Sequence, residues 1–339
     1  MIATDKVLLG HGSGGKLSHN LISGLFMKHF SNPFLLKQTD SAVLEFTGGH
    51  LSFTTDSFVV DPIFFPGGDI GKLAVCGTVN DLAVSGSSPL YLSAGFIIEE
   101  GFPFSDLEMI VRSMADEAKK AGVIIVTGDT KVVNRGKCDK VFINTAGIGY
   151  IKQENIHIGE GSRIMPGDKI IINGTVGDHG MAVLSARQEL NIKSNIASDC
   201  ASLNGLISHV LDEAGGIRFM RDATRGGLAT VMAELAEKKN FGIMVEESVI
   251  MVRPDVRAFC ELLGFDPLYV ANEGKVVMVA EPDSAQKVIQ VMKSHELGKD
   301  ATIIGEISAE NPGKAWISTG IGGKRILDML AGEQLPRIC

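Results

Sequence analysis

The sequence runs to 339 residues, a length that favours about two domains of roughly 150 residues, each able to bury its own core. Its 45% hydrophobic and 21% charged residues suit a soluble α/β protein, and a formal charge of −8 argues against a nucleic-acid surface, which needs clustered Lys and Arg. No apolar run approaches the ~20 residues that span a bilayer and Met1–Lys6 lacks a signal-peptide core, so the expected location is the cytoplasm, with no membrane contact.

The chain opens on a glycine-rich turn, His11-Gly12-Ser13-Gly14-Gly15-Lys16, one of several tight clusters among 40 glycines. Without a Cβ, such a segment can turn sharply or approach a ligand closely. β-Branched and aromatic runs at Leu51–Thr55, Val123–Thr127 and Val141–Thr145 predict strands. Helical periodicity covers 73–84 and 107–121, the second closed by Gly122 as a C-cap. Lys152–Pro166 reads as a connector. Beyond it, Lys169–Ile172, Gly242–Val245 and Lys275–Val279 predict strands, and Met181–Glu189 and Gly227–Lys239 predict helices. Alternating strands and helices in both halves imply α/β layering. The expected division is a domain over 1–151, a second over 152–331 and a loosely held tail over 332–339, where Pro336 cannot continue a helix.

Chemistry concentrates in a few places. Asp40, Asp56, Asp81 and Asp129 lie at or near predicted strand ends and turns, where α/β proteins usually place ligands. An acidic protein that binds a polyphosphate must bridge like charges, and Mg²⁺ held by carboxylates does that. Singly, each is an ordinary turn or cap residue; the set of four is what points to a site. In the His11–Lys16 turn, backbone N–H groups can reach phosphate oxygens and Lys16 can add a charge, although the Walker A spacing and a preceding strand are absent. On its own it is a flexible turn.

Five cysteines without a CxxC pair suit a reducing compartment rather than zinc or a redox dithiol. Cys76, Cys138, Cys200 and Cys260 read as small buried residues. Cys339 differs because it is the last residue of this sequence. A tail of about ten residues spans up to roughly 33–36 Å, enough to visit a pocket and then a partner. Lys131, Glu273 and His179, taken alone, read as a surface lysine, a turn carboxylate and a turn histidine. For Arg221–Leu228, structural and ligand roles both stay open.

The segments Phe64–Ala83 and Val126–Val133, the latter with Gly128-Asp129-Thr130-Lys131, resemble the PurM superfamily of ATP-dependent enzymes. With Ala271–Val277 and Pro336-Arg337-Ile338-Cys339, they are similar to its HypE family of hydrogenase maturation proteins over essentially the whole chain. The resemblance implies a PurM-like two-domain architecture. An N-terminal domain would bind ATP and pair with a second copy into a β-barrel, followed by a C-terminal α/β domain and a flexible tail bearing Cys339. It implies ATP-dependent dehydration of a carbamoyl group on Cys339 to a thiocyanate, the source of the cyanide ligand of hydrogenase iron. HypF would donate the carbamoyl group and a HypC–HypD complex would accept the cyanide. Cys339, Lys131 and Glu273 would be catalytic. Gly12, Gly14, Gly15, Lys16, Asp40, Asp56, Asn80, Asp81, Asp129 and Thr130 would bind the nucleotide, with Mg²⁺ on Asp40, Asp56 and Asp81.

Such a dehydration must expel an oxygen, a poor leaving group until phosphorylated, and needs a base for the N–H proton. A selenophosphate synthetase or thiamine-monophosphate kinase is the alternative within the superfamily. The former carries its reactive residue beside the glycine-rich loop, where this chain has Ser13 and no cysteine before Cys76. A non-catalytic assembly factor with a docking tail is the alternative of another class.

Overall fold

Strand-forming runs of the first half grow beyond the residues that predict them. The computed structural model describes residues 6–8, 11, 20–33, 35–37, 48–187, 194–329, 335 and 337–339. In it β1 (His50–Phe58) is followed by helix α1 (Ile70–Val84), β2 (Ser87–Glu99), α2 (Phe104–Ala121), β3 (Ile124–Val133) and β4 (Val141–Ile151). The strands form one sheet in the order β1-β4-β2-β3, antiparallel except for the parallel β2–β3 pair. Strand β2 has no counterpart among the predicted strands, because Pro89 interrupts its pattern. Pro89 sits at a register shift, ahead of Tyr91 where pairing with β3 begins, so the missing N–H removes no central ladder bond. The extension also moves two carboxylates: Asp56 and Asp129 lie inside strands rather than after them.

Helix α1 is apolar on every side, which marks a helix buried all round. Asp69 caps it, accepting from the N–H groups of Gly71 (2.7 Å) and Lys72 (3.2 Å). Its partner α2 packs so closely that a Cβ on Gly71 would collide with the Ile110 carbonyl. That contact explains one glycine of the 67–71 cluster.

The second half builds a seven-stranded sheet from β5 (Lys169–Ile172), β6 (Ile217–Asp222), β7 (Gly242–Glu246), β8 (Val276–Ala280), β9 (Thr302–Ser308), β10 (Ala315–Ser318) and β11 (Lys324–Leu327). Their order is β11-β10-β7-β9-β5-β8-β6. Five helices accompany it: α3 (Asp178–Ser185), α4 (Asn204–Glu213), α5 (Gly227–Ala236), α6 (Pro254–Leu263) and α7 (Pro282–Lys293). Helix α5 stops three residues before the predicted end, since Glu237 turns to an extended conformation with ψ 127°. The connector carries a short helical turn, His157–Glu160, whose Ile158 is buried.

The two sheets are tied through an extended segment, 194–203. Ser198 N donates to the Pro66 carbonyl (2.8 Å), and buried Glu117 of α2 accepts from Ser202 N (3.2 Å) and Ser202 Oγ (2.7 Å). The chain end, expected to be loosely held, is pinned: Arg337 pairs with Asp139 (2.8 Å), and Ile338 is 2% exposed within the first core. Burial of Ile338 supplies a reason for order that sequence patterning does not display. Cys138 departs from the buried reading and lies half-buried between β3 and β4.

Gly71→Ala is expected to destabilise the protein by about 1–3 kcal/mol, because backbone must shift to admit the methyl group. Gly122→Ala, at φ 71° with open space around it, should cost about 1 kcal/mol or less. Thermal denaturation of the two variants side by side checks the order.

Candidate active site

Three elements bring carboxylates to one polar cavity of about 440 Å³, lined by Ser52, Thr54, Asp81, Asp222 and Arg225 among others. Thr54 Oγ1 donates to Asp81 Oδ2 (3.0 Å), tying β1 to α1. Burial raises the Asp81 carboxyl above its ordinary range, and the nearby Asp56 adds to the rise. Asp222, at the end of β6, is pushed up to about 7, first by loss of water and then by the negative charges of Asp81 and Asp56. Gly77 of α1 faces this corner; a Cβ there would stand 3.5 Å from Asp56 Oδ2.

Among the described residues no three acidic, His or Cys groups already stand close enough to cage a metal. Mg²⁺ commonly takes only one or two carboxylates and completes its shell with phosphates and water. The hard oxygen donors of Asp81 and Asp222, charged against each other, fit that pattern. Asp222 is the residue the sequence reading left open; its signal was the Arg221–Leu228 segment.

Glu273 lies behind this cluster, 3% exposed. Burial first, and then Asp222, Asp199 and Asp56, hold its carboxyl well above the usual carboxylate range. Its turn is fixed by Asp199, which accepts from Glu273 N and Gly274 N (3.1 Å each) and pairs with Lys275 Nζ (3.0 Å). Lys275 keeps the Asp199 carboxyl ionised against the cost of burial. Asn80, expected to bind nucleotide, instead spends its side chain inside the protein. Its Nδ2 donates to the Ala201 (3.0 Å) and Glu273 (3.4 Å) carbonyls, and its Oδ1 accepts from Leu203 N (2.7 Å).

Lys131 and Asp129 stand elsewhere, exposed on β3 and ion-paired at 3.0 Å. With Thr130 and His11 they line a largely apolar cavity of about 210 Å³. The chain therefore does not bring Lys131 to the cavity lined by Asp81 and Asp222. Cys339 is half-buried against the first core, its carbonyl accepting from Val59 N (3.3 Å). Gly12, Gly14, Gly15, Lys16 and Asp40 lie outside the described residues.

The fold and this site define an AIR synthase-related protein. The model of the AIR synthase related N-terminal domain matches residues 38–151, and that of the C-terminal domain matches 165–318. The chain is 51% identical over 332 residues to a carbamoyl dehydratase HypE of Bradyrhizobium diazoefficiens, covering 98% of this chain and 95% of that protein. A crystal structure of hydrogenase maturation protein HypE in complex with ATP superposes with a TM-score of 0.93 at 49% identity, over 98% of this chain and 99% of that one. A HypE–HypF complex structure matches with a TM-score of 0.77 at 50% identity, over 91% and 99%. The chain belongs to the HypE family, the carbamoyl dehydratases of hydrogenase maturation.

Asp222 also sets a pH dependence. Its folded pKa, about 7, lies above the ordinary 3.8, so the folded state holds the proton more tightly than the unfolded one. Stability of the ligand-free protein therefore falls as pH rises from about 4 to about 7. Asp222→Asn should raise the melting temperature, by more at pH 8 than at pH 5. An equal or opposite change at the two pH values would show that Asp222 is not held up by its neighbours.

Proposed function

We propose that the chain uses Mg-ATP to dehydrate a carbamoyl group on Cys339 to a thiocyanate, and that the Asp81–Asp222 cavity beside Glu273 is where this occurs. Support comes chiefly from that juxtaposition: paired hard-oxygen donors stand near a buried carboxyl whose pKa burial raises. Mg²⁺ on Asp81 and Asp222, joined by Asp40 and Asp56 as the family resemblance implies, would neutralise phosphate charge. Thr54 orients Asp81, and Arg225 lines the cavity as a fixed positive charge.

The reaction moves the carbamoyl oxygen to phosphate and takes both protons from nitrogen, leaving S–C≡N. Glu273, whose raised pKa favours the protonated form, would become a base once cations offset the surrounding carboxylates. Lys131, Asp129 and Thr130, which line a different cavity, keep their roles in this reading only from the family resemblance, as do Gly12, Gly14, Gly15 and Lys16 at the phosphates.

The other thiols are poor acceptors. Cys200 is held well above its ordinary pKa by its hydrogen bond with Cys76 and by burial, and burial pushes Cys260 up to about 11 and raises Cys138. Cys76 is fully buried. HypF is the carbamoyl donor in this reading and a HypC–HypD complex the acceptor. A homodimer is also part of it, since Leu51, Phe53, Ile97 and Tyr150 leave the outer face of the first sheet apolar and exposed. We further place the domain boundary at 151/152.

Incubation with HypF, carbamoyl phosphate and ATP, followed by peptide fragmentation, should map both the carbamoyl and the cyano mass to Cys339. Either mass on another cysteine overturns the assignment. Glu273→Gln keeps the shape of the neutral acid, so folding should be preserved while conversion drops about 10²–10⁴-fold and the carbamoyl form accumulates. Cyanation at the wild-type rate in that variant would remove Glu273 from the chemistry.

A further inference from the structure

Three successive main-chain carbonyls hold the chain end. Arg337 O accepts from Asp61 N (3.0 Å) and Arg187 Nη2 (3.3 Å), and Cys339 O accepts from Val59 N (3.3 Å). Between them, Ile338 O faces a side chain: His179 Nε2 at 2.9 Å. His179 is fully buried on α3, with the Phe65 ring edge-on at 5.4 Å.

Its hydrogen-bond directions are fixed by elimination. A carbonyl only accepts, so Nε2 carries the proton toward Ile338. Nδ1 then accepts from Ser198 Oγ at 2.8 Å, and Ser198 Oγ accepts in turn from Cys200 N at 3.0 Å. Burial keeps the ring neutral by lowering its pKa, as this arrangement needs. Ser198 belongs to the same segment as Asp199, which anchors the Glu273 turn.

We infer that His179 is a positioning residue for the dehydration, a neutral imidazole that reads the Ile338 carbonyl and so sets where Cys339 stands relative to the Asp81–Asp222–Glu273 pocket. This rests on the reading above that Cys339 carries the group. Because the contact is to a main-chain carbonyl, it serves the loaded and unloaded tail alike. The function proposed so far does not use this residue.

Three full-length variants test it: His179→Phe, which keeps the ring and removes the donor; His179→Gln, whose amide can place a donor where Nε2 stood; and Ser198→Ala, which releases Nδ1. Each is incubated with HypF, carbamoyl phosphate and ATP and followed by intact mass. His179→Phe should accept the carbamoyl group at the wild-type rate yet convert it to the nitrile about tenfold more slowly, with His179→Gln recovering most of the loss. Tryptic cleavage after Arg337 in the untreated protein should quicken in His179→Phe and Ser198→Ala and not in His179→Gln. Thermal melting identifies a variant that fails to fold; should His179→Phe do so, Ser198→Ala carries the comparison. Equal conversion and equal cleavage in all four proteins, or equal losses in the Phe and Gln variants, would overturn the inference. Wild-type protein left unmodified on Cys339 would instead overturn the proposed function, while the cleavage pattern still reports on His179.

Discussion

The Asp199 carboxylate is the point on which the site hangs. It is buried, ionised by Lys275 at 3.0 Å, and satisfied by two backbone N–H groups of the Glu273 turn. A buried ion pair adds little net stability, but removing one partner leaves a stranded charge and costs about 3–5 kcal/mol. Such a pair specifies geometry more than it stabilises. Here it sets the Glu273 backbone, and the approach is so close that a Cβ on Gly274 would strike the Asp199 carbonyl. Asn80 braces the same turn from α1, so the two sheets meet through hydrogen bonds to one loop.

Around that anchor the protein accumulates unfavourable charge. Asp81, Asp222 and Glu273 all have raised pKa values, and each owes part of the rise to another carboxylate nearby. Desolvation and like charge oppose the folded state in the same place, a common way for sites to trade stability for chemistry. Raised pKa values favour the protonated carboxyls and so lessen the repulsion; bound cations would lessen it too while leaving Glu273 able to accept a proton. Loading of the pocket and basicity of Glu273 are then one event, because the same field controls both.

Much of this was legible in the sequence, and the failures have local causes. Runs at Leu51–Thr55 and Val141–Thr145 marked strands correctly and understated their length, since Asp56 and Ser57 interrupt the first pattern and Gly147 and Gly149 the second. Strand β2 hid behind Pro89. Helices α6 and α7 open on Pro254 and Pro282, start signals available to a closer reading. Asp81, singled out in its motif, lines the acidic cavity, whereas Asn80 beside it faces inward. Asp199 carried no signal, because the groups it holds lie 74 and 75 residues away. Lys131 and Glu273, joined only by the family resemblance, stand at different places on the chain.

The chain end is held through its backbone as well as its side chains. Its carbonyls at Arg337, Ile338 and Cys339 accept hydrogen bonds, Arg337 pairs with Asp139, and Leu335, Ile338 and Cys339 pack on the first core. In the proposed reaction only the Cys339 side chain changes, so the three backbone contacts are common to every form of the tail, whereas the packing of residue 339 against the first core is not. Contacts common to all forms cannot shift their populations, and any preference of the dock must come from around that side chain. The Val59–Asp61 strand exit supplies two of the donors, and β1 also carries Thr54 and Asp56 beside the acidic pocket. β1 and the segment that follows it thus join the acidic pocket to the backbone donors that hold the tail.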